Sequence, residues 1–97
     1  MYEIKLSPNV QEDLKSLRKF EQKEILKGIK EQLRYEPTVE TKNRKRLDPN
    51  ELAEWELRIG RFRVFYNVET RALIVHVEAI GIKEGNLLFI GGRRIDL

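Results

Sequence analysis

The chain has no cysteine, three prolines, and a single histidine, methionine and tryptophan among its 97 residues. Without cysteine there are no disulfide staples and no thiolate metal sites, which fits a reducing compartment. No run of apolar residues is long enough to cross a bilayer, and Met1-Tyr-Glu-Ile-Lys5 lacks the apolar stretch of a secretory signal. A cytoplasmic location with no membrane partner is therefore expected. No low-complexity tract and no internal repeat occurs, so neither a linker-rich nor a solenoid architecture fits. One domain over residues 1–97 is expected.

Charged residues make up 36% of the chain, a share that suggests disorder only where apolar residues are unpatterned. Here they are patterned. The net charge of +3 is compatible with a polyanionic partner and does not identify one.

Tyr2-Glu-Ile-Lys-Leu6 alternates as a short strand does. Ser7-Pro8 is a helix start, with serine at the N-cap and proline at the first helical position, where its missing N–H costs nothing. Val10, Leu14, Leu17 and Phe20 follow at helical spacing. A second amphipathic helix is predicted over residues 21–35, burying Ile25, Leu26, Ile29 and Leu33, with Gly28 weakening it and Pro37 ending it. The polar stretch 38–50 carries Lys42, Arg44, Lys45 and Arg46 and turns at Asp48-Pro49-Asn50; it is expected to be an ordered basic loop.

Three strands are then predicted, over residues 53–59, 62–68 and 72–80, with a terminal hairpin of 87–90 and 94–97 about Gly91-Gly92. A strand, a helical hairpin and an antiparallel meander make a two-layer α+β fold. The helices are expected to cover Trp55, Leu57, Ile59, Phe62, Val64, Tyr66 and Val68, joined by Leu73, Val75, Val77 and Ala79.

If Gly60-Arg61 is a two-residue hairpin turn, Ile59 pairs with Phe62, Leu57 with Val64, and Arg58 with Arg63 on the opposite face. Like charges facing each other across a ladder are destabilising, so the pair suggests an anionic guest. A second turn at Thr70-Arg71 pairs Phe65 with His76 and Arg63 with Glu78. The uncovered face then holds Glu56, Arg58, Arg63, Phe65, Asn67, Ile74, His76 and Glu78, with Lys83 at its rim. Guanidinium groups grip phosphate oxygens, an aromatic stacks a base, and Lys42, Arg44, Lys45 and Arg46 add backbone contacts. RNA cleavage there needs charge neutralisation and proton transfer but no metal or other cofactor, because the 2′-OH is the nucleophile. The same residues also fit a solvated strand face with Glu56 and Glu78 as counter-ions.

With Leu6-Ser7-Pro8, the hairpin closed by Pro37, the basic stretch before Leu47, Trp55-Glu-Leu-Arg-Ile-Gly-Arg-Phe-Arg-Val-Phe-Tyr66 and Ile80-Gly-Ile-Lys83, the chain resembles the RelE/ParE superfamily of type II toxins. The resemblance implies a cognate antitoxin as partner. In the ribosome-dependent RNases of the RelE branch, basic strand residues and a C-terminal tyrosine drive mRNA cleavage. By that resemblance Arg58, Arg63 and Lys83 are catalytic candidates and mRNA on the ribosome is a partner. Glu56 departs from a basic position, and Phe89 stands near the expected tyrosine, leaving His76 as the candidate proton-transfer group and Phe89 as an RNA contact. The ParE branch shares the fold and poisons DNA gyrase, the alternative partner; a non-catalytic relative with a decayed active site is the third reading, and Glu56 and Phe89 are the residues that favour it.

Overall fold

The computed structural model describes all residues, 1–97. Its elements run β1 (Glu3–Leu6), α1 (Pro8–Lys15), α2 (Lys19–Leu33), β2 (Arg44–Arg46), β3 (Trp55–Ile59), β4 (Phe62–Glu69), β5 (Ile74–Glu84), β6 (Leu87–Ile90) and β7 (Arg93–Ile95). The α+β arrangement expected from the sequence is present: one strand, two helices, then an antiparallel sheet. Strand order is β2-β3-β4-β5-β6-β7. β1 joins in parallel beside residues 74–77 of β5, and β6 takes the same edge beside residues 81–84.

Local chemistry accounts for the helices. Ser7 Oγ accepts from the Val10 N–H at 3.3 Å, and Pro8 follows at the first helical position. The second helix runs two residues earlier than the spacing predicts, Lys19–Leu33 rather than 21–35. Glu21 sets its start, accepting from the Arg18 N–H at 3.2 Å as the third residue of a capping box does. At the other end the Arg34 carbonyl accepts from the Tyr2 N–H at 2.7 Å, which ties the end of α2 to the start of β1. Gly28 has a packing role beyond its helix cost. A Cβ there would stand 2.5 Å from Ile59 Cδ1, so glycine lets β3 approach α2.

The helices cover one face of the sheet. Val10, Leu14, Ile25, Ile29 and Leu33 meet Trp55, Leu57, Phe62, Val64, Tyr66, Val75, Val77 and Ile80 in a cluster of 13 buried residues. The Tyr66 hydroxyl crosses this layer and donates to the Pro37 carbonyl at 2.6 Å, tying the loop after α2 to the central strand. Leu26 and Phe20, expected inside, are exposed.

The β3–β4 hairpin has the predicted register: Ile59 opposite Phe62, Leu57 opposite Val64, Arg58 opposite Arg63. Gly60 has φ of +55°, as the first loop residue of a tight hairpin requires. The β4–β5 hairpin differs from expectation. Its loop holds Thr70–Leu73, pairing Glu69 with Ile74, and Leu73 is exposed with φ of +57° instead of joining the core. Farther along, Phe65 pairs with Ala79 and Tyr66 with Val77, leaving Glu78 as an extra residue in β5. A bulge of this kind exchanges the faces of the residues beyond it. Ile80 therefore enters the helix-side core, and Ala79 belongs to the other face.

That other face is not open throughout. Phe65 is fully buried in a second cluster with Ala53, Ala79 and Leu88, flanked by Leu47, Leu52, Ile90 and Ile95. The cover comes from β6, β7 and the loop before β3, which Asn50 organises by accepting from the Leu52 and Ala53 N–H groups at 2.7 and 3.0 Å. Gly81 makes the closure possible, since a Cβ there would stand 2.7 Å from Leu88 Cδ1 and 3.3 Å from Phe65 Cε2. No helix is long and apolar enough to cross a membrane.

Candidate functional site

Next to this second cluster lies a group of basic side chains. The β3–β4 register sets Arg58 and Arg63 opposite each other, and the β2–β3 register sets Lys45 opposite Glu56. Directly opposed residues share a face, so Lys45, Glu56, Arg58 and Arg63 are neighbours. Lys83 and Glu56 line one pocket of about 310 Å3, closed by Leu88 and the C-terminal Asp96 and Leu97. Four cations thus gather about Glu56, with Asp96 also lining the pocket that holds Lys83.

The two arginines are not equivalent. Arg58 is exposed and its Nε donates to Glu56 Oε1 at 3.1 Å. The Arg63 side chain is only 14% exposed. Its Nη1 donates to the carbonyls of Gly60 and Phe62 at 2.8 and 2.9 Å, folding the guanidinium back onto the hairpin turn. Arg63 Nε lies 4.0 Å from Glu56 Oε1 and is buried without a hydrogen-bond partner. Burial lowers the Arg63 pKa, Glu56 opposes the shift, and Arg58 adds to it. Glu56 is therefore the local counter-ion that makes the opposed pair tolerable.

The remaining expected residues divide. Lys42 is exposed in the loop before β2. Arg44, expected to contact RNA, is buried: its Nε donates to the Val39 carbonyl at 2.9 Å and its Nη1 to the Gln32 carbonyl at 2.7 Å. The reason is the short strand β2, unforeseen in a polar stretch, whose alternation sends Arg44 toward the helices and Lys45 toward Glu56. Arg46 pairs with Glu54 at 3.2 Å and stacks 5.8 Å over the Trp55 ring, away from Arg58. Phe65, expected to stack a base, is sealed in the second cluster. Phe89 pairs with Ile82 and lines a cleft with Leu17 of the helical layer, on the face opposite the arginines.

His76 is not brought to the arginines either. It pairs with Asn67, and its Nε2 lies 3.4 Å from Glu69 Oε1. Arg63 pairs with Gly81, five residues along β5, roughly 15 Å of strand away. The longer β4–β5 loop and the bulge together produce this displacement. No tyrosine replaces it: Tyr66 is sealed, with burial raising its pKa, Tyr2 packs against the helix-side core, and Tyr35 is exposed just after α2. Arg61, which the sequence offered only as a turn residue, donates from Nη2 to Glu21 at 2.8 Å and locks the hairpin to the start of α2. The spacing of Glu21 to a helix start was the available signal for half of that pair.

A strand, a helical hairpin and an antiparallel sheet carrying a basic face define the RelE-like class of toxin folds. A family model, the ParE toxin of the type II toxin-antitoxin system parDE, matches residues 4–86, so the chain belongs to the ParE toxin family. The match runs from β1 through β5 and leaves β6 and β7 outside it. No curated protein matches the chain in sequence. The chain is thus the toxin of a type II module, and a cognate antitoxin is its partner.

Proposed function

We propose that this toxin arrests growth by binding DNA gyrase and inhibiting it, without bond-making chemistry of its own. The observation that carries the reading is that neither the histidine nor a tyrosine stands beside the basic cluster, and that its adjoining carboxylate, Glu56, is engaged as counter-ion by Arg58. His76 is displaced along β5 and paired with Glu69, Phe89 faces the other way and has no hydroxyl, and Tyr66 is sealed. Cations can hold an acidic surface or a phosphate, but cleavage at the 2′-OH needs both a base and an acid, and Glu56 is a single group already engaged by Arg58 at 3.1 Å. The ParE family match supports the same reading.

A ribosome-dependent mRNA endoribonuclease is the second reading, favoured by one specific feature. Arg63 Nε is the buried side-chain donor without a partner, next to exposed Arg58 and to Lys83. An arriving phosphate oxygen would satisfy it, and the ribosome would have to supply the proton transfers.

Induced expression in a sensitive host, primer-extension mapping of mRNA ends and a supercoiling assay with purified gyrase separate the two. On the gyrase reading, supercoiling is inhibited and mRNA ends are unchanged. Codon-phased cuts that vanish in Arg63→Ala would overturn it. In that event the variant should lose at least about 2 kcal/mol of transition-state stabilisation while staying folded.

A further inference from the structure

The helical layer stops short of the far end of the sheet. α1 has eight residues, and beyond it a cleft of about 480 Å3 opens against β5 and β6. Half-buried Leu17, Ile82 and Phe89 form its apolar lining, and Glu12, Asp13 and Glu84 stand around it. None of the molecule's ion pairs includes Asp13 or Glu84, and the only partner of Glu12 is exposed Lys15, at 3.6 Å. On a chain of net charge +3, Asp13 and Glu84 have been left without cations. A second groove, of about 420 Å3 between β1 and α2, is framed differently, with Lys30, Arg34 and one carboxylate, Glu3, beside Leu26 and Ile29.

We infer that the cleft between α1 and β6 docks a segment of a protein partner that sets an aromatic or aliphatic anchor against Phe89 and flanks it with lysine or arginine. Charge complementarity selects this occupant. A nucleic-acid backbone would be repelled by the three carboxylates. A bare cation would gain nothing from the hydrocarbon lining, and no cluster here has metal-ligand geometry. A basic segment with an apolar anchor satisfies both parts at once, neutralising Asp13 and Glu84 while covering Phe89 and Ile82. The inference is independent of which target the toxin inhibits, since the arginine cluster lies on the other face of the sheet.

The test is selection of a random dodecapeptide phage library on the immobilised full-length protein, followed by fluorescence anisotropy with the synthesised consensus peptide. Enrichment of peptides with an aromatic or aliphatic centre between basic residues is expected. Their binding should weaken with salt and fall about tenfold in the double variant Asp13→Asn/Glu84→Gln. Phe89→Ala should weaken it as well, whereas Lys30→Glu in the other groove should leave it unchanged. Thermal melts confirm that each variant is folded. Enrichment of acidic or uncharged peptides, no enrichment, or binding that survives the double variant would overturn the proposal. So would self-association of the protein that the double variant abolishes, because the occupant would then be a second copy.

Discussion

The two faces of the sheet are closed by different means. On one, two amphipathic helices lay a periodic stripe over the strands and bury 13 residues in a single cluster. On the other, four buried residues are covered by the sheet's own outlying strands and by the loop before β3. The first closure depends on neighbours in sequence and on regular spacing. The second depends on β6 and β7 returning over β4, and on Gly81 leaving room for Leu88. The difference explains why the basic cluster is a bounded site: Arg58 and Lys45 stand exposed at its outer side, while Arg63 is partly enclosed.

The equivalence of the two closures can be broken most directly at Phe65. Phe65→Ala should cost about 3–5 kcal/mol in urea unfolding, as much as Leu57→Ala at about 2–5 kcal/mol on the helix side. A loss near zero would mean that the second face is an open surface. Leu88→Ala comes next, at about 2 kcal/mol, the low end for a buried leucine. Native-state hydrogen exchange should show β6 and β7 losing protection before β3 and β4 do.

On the helix side, Tyr66→Phe leaves the Pro37 carbonyl without its donor and should cost about 1–2 kcal/mol by thermal or urea unfolding. The smallest effect belongs to Glu21. Its pKa is lowered from 4.5, chiefly by the hydrogen bond from Arg61; burial opposes this as the next-largest effect, and the Arg18 N–H adds to the lowering. A depressed carboxyl contributes stability that is present above the unfolded-state pKa and lost as pH falls through the folded-state value. Glu21→Gln should therefore flatten the acid limb of the stability curve below pH 4.5 and leave its slope at neutral pH unchanged.

The sequence carried the helix-side half of the molecule well. Ser7-Pro8, the spacing of Ile25, Ile29 and Leu33, and the Gly60-Arg61 turn are local signals, and each gave its element or its register. It also put Arg58 opposite Arg63 and assigned Phe65 to the correct face. What it missed depends on partners distant in the chain. Nothing near Phe65 announces that Leu88 and Ile95 will cover it. Arg44 lies in a run of charges, and only the pairing of β2 with β3 sends it inward. His76 moved because the β4–β5 loop spans Thr70–Leu73 and Glu78 is unpaired; the adjacent apolar pair Ala79-Ile80 is the local trace of the second, and nothing local marks the first.

That unpaired glutamate gives β5 a change of phase. Ahead of it, odd-numbered positions such as Val75 and Val77 turn inward to the helices; past it, even-numbered Ile80 and Ile82 do so. A saturation mutagenesis scan along this strand should show its rhythm of tolerance slip by one step at Glu78. Deleting that single residue would not merely shorten the strand: it would turn one of its halves inside out.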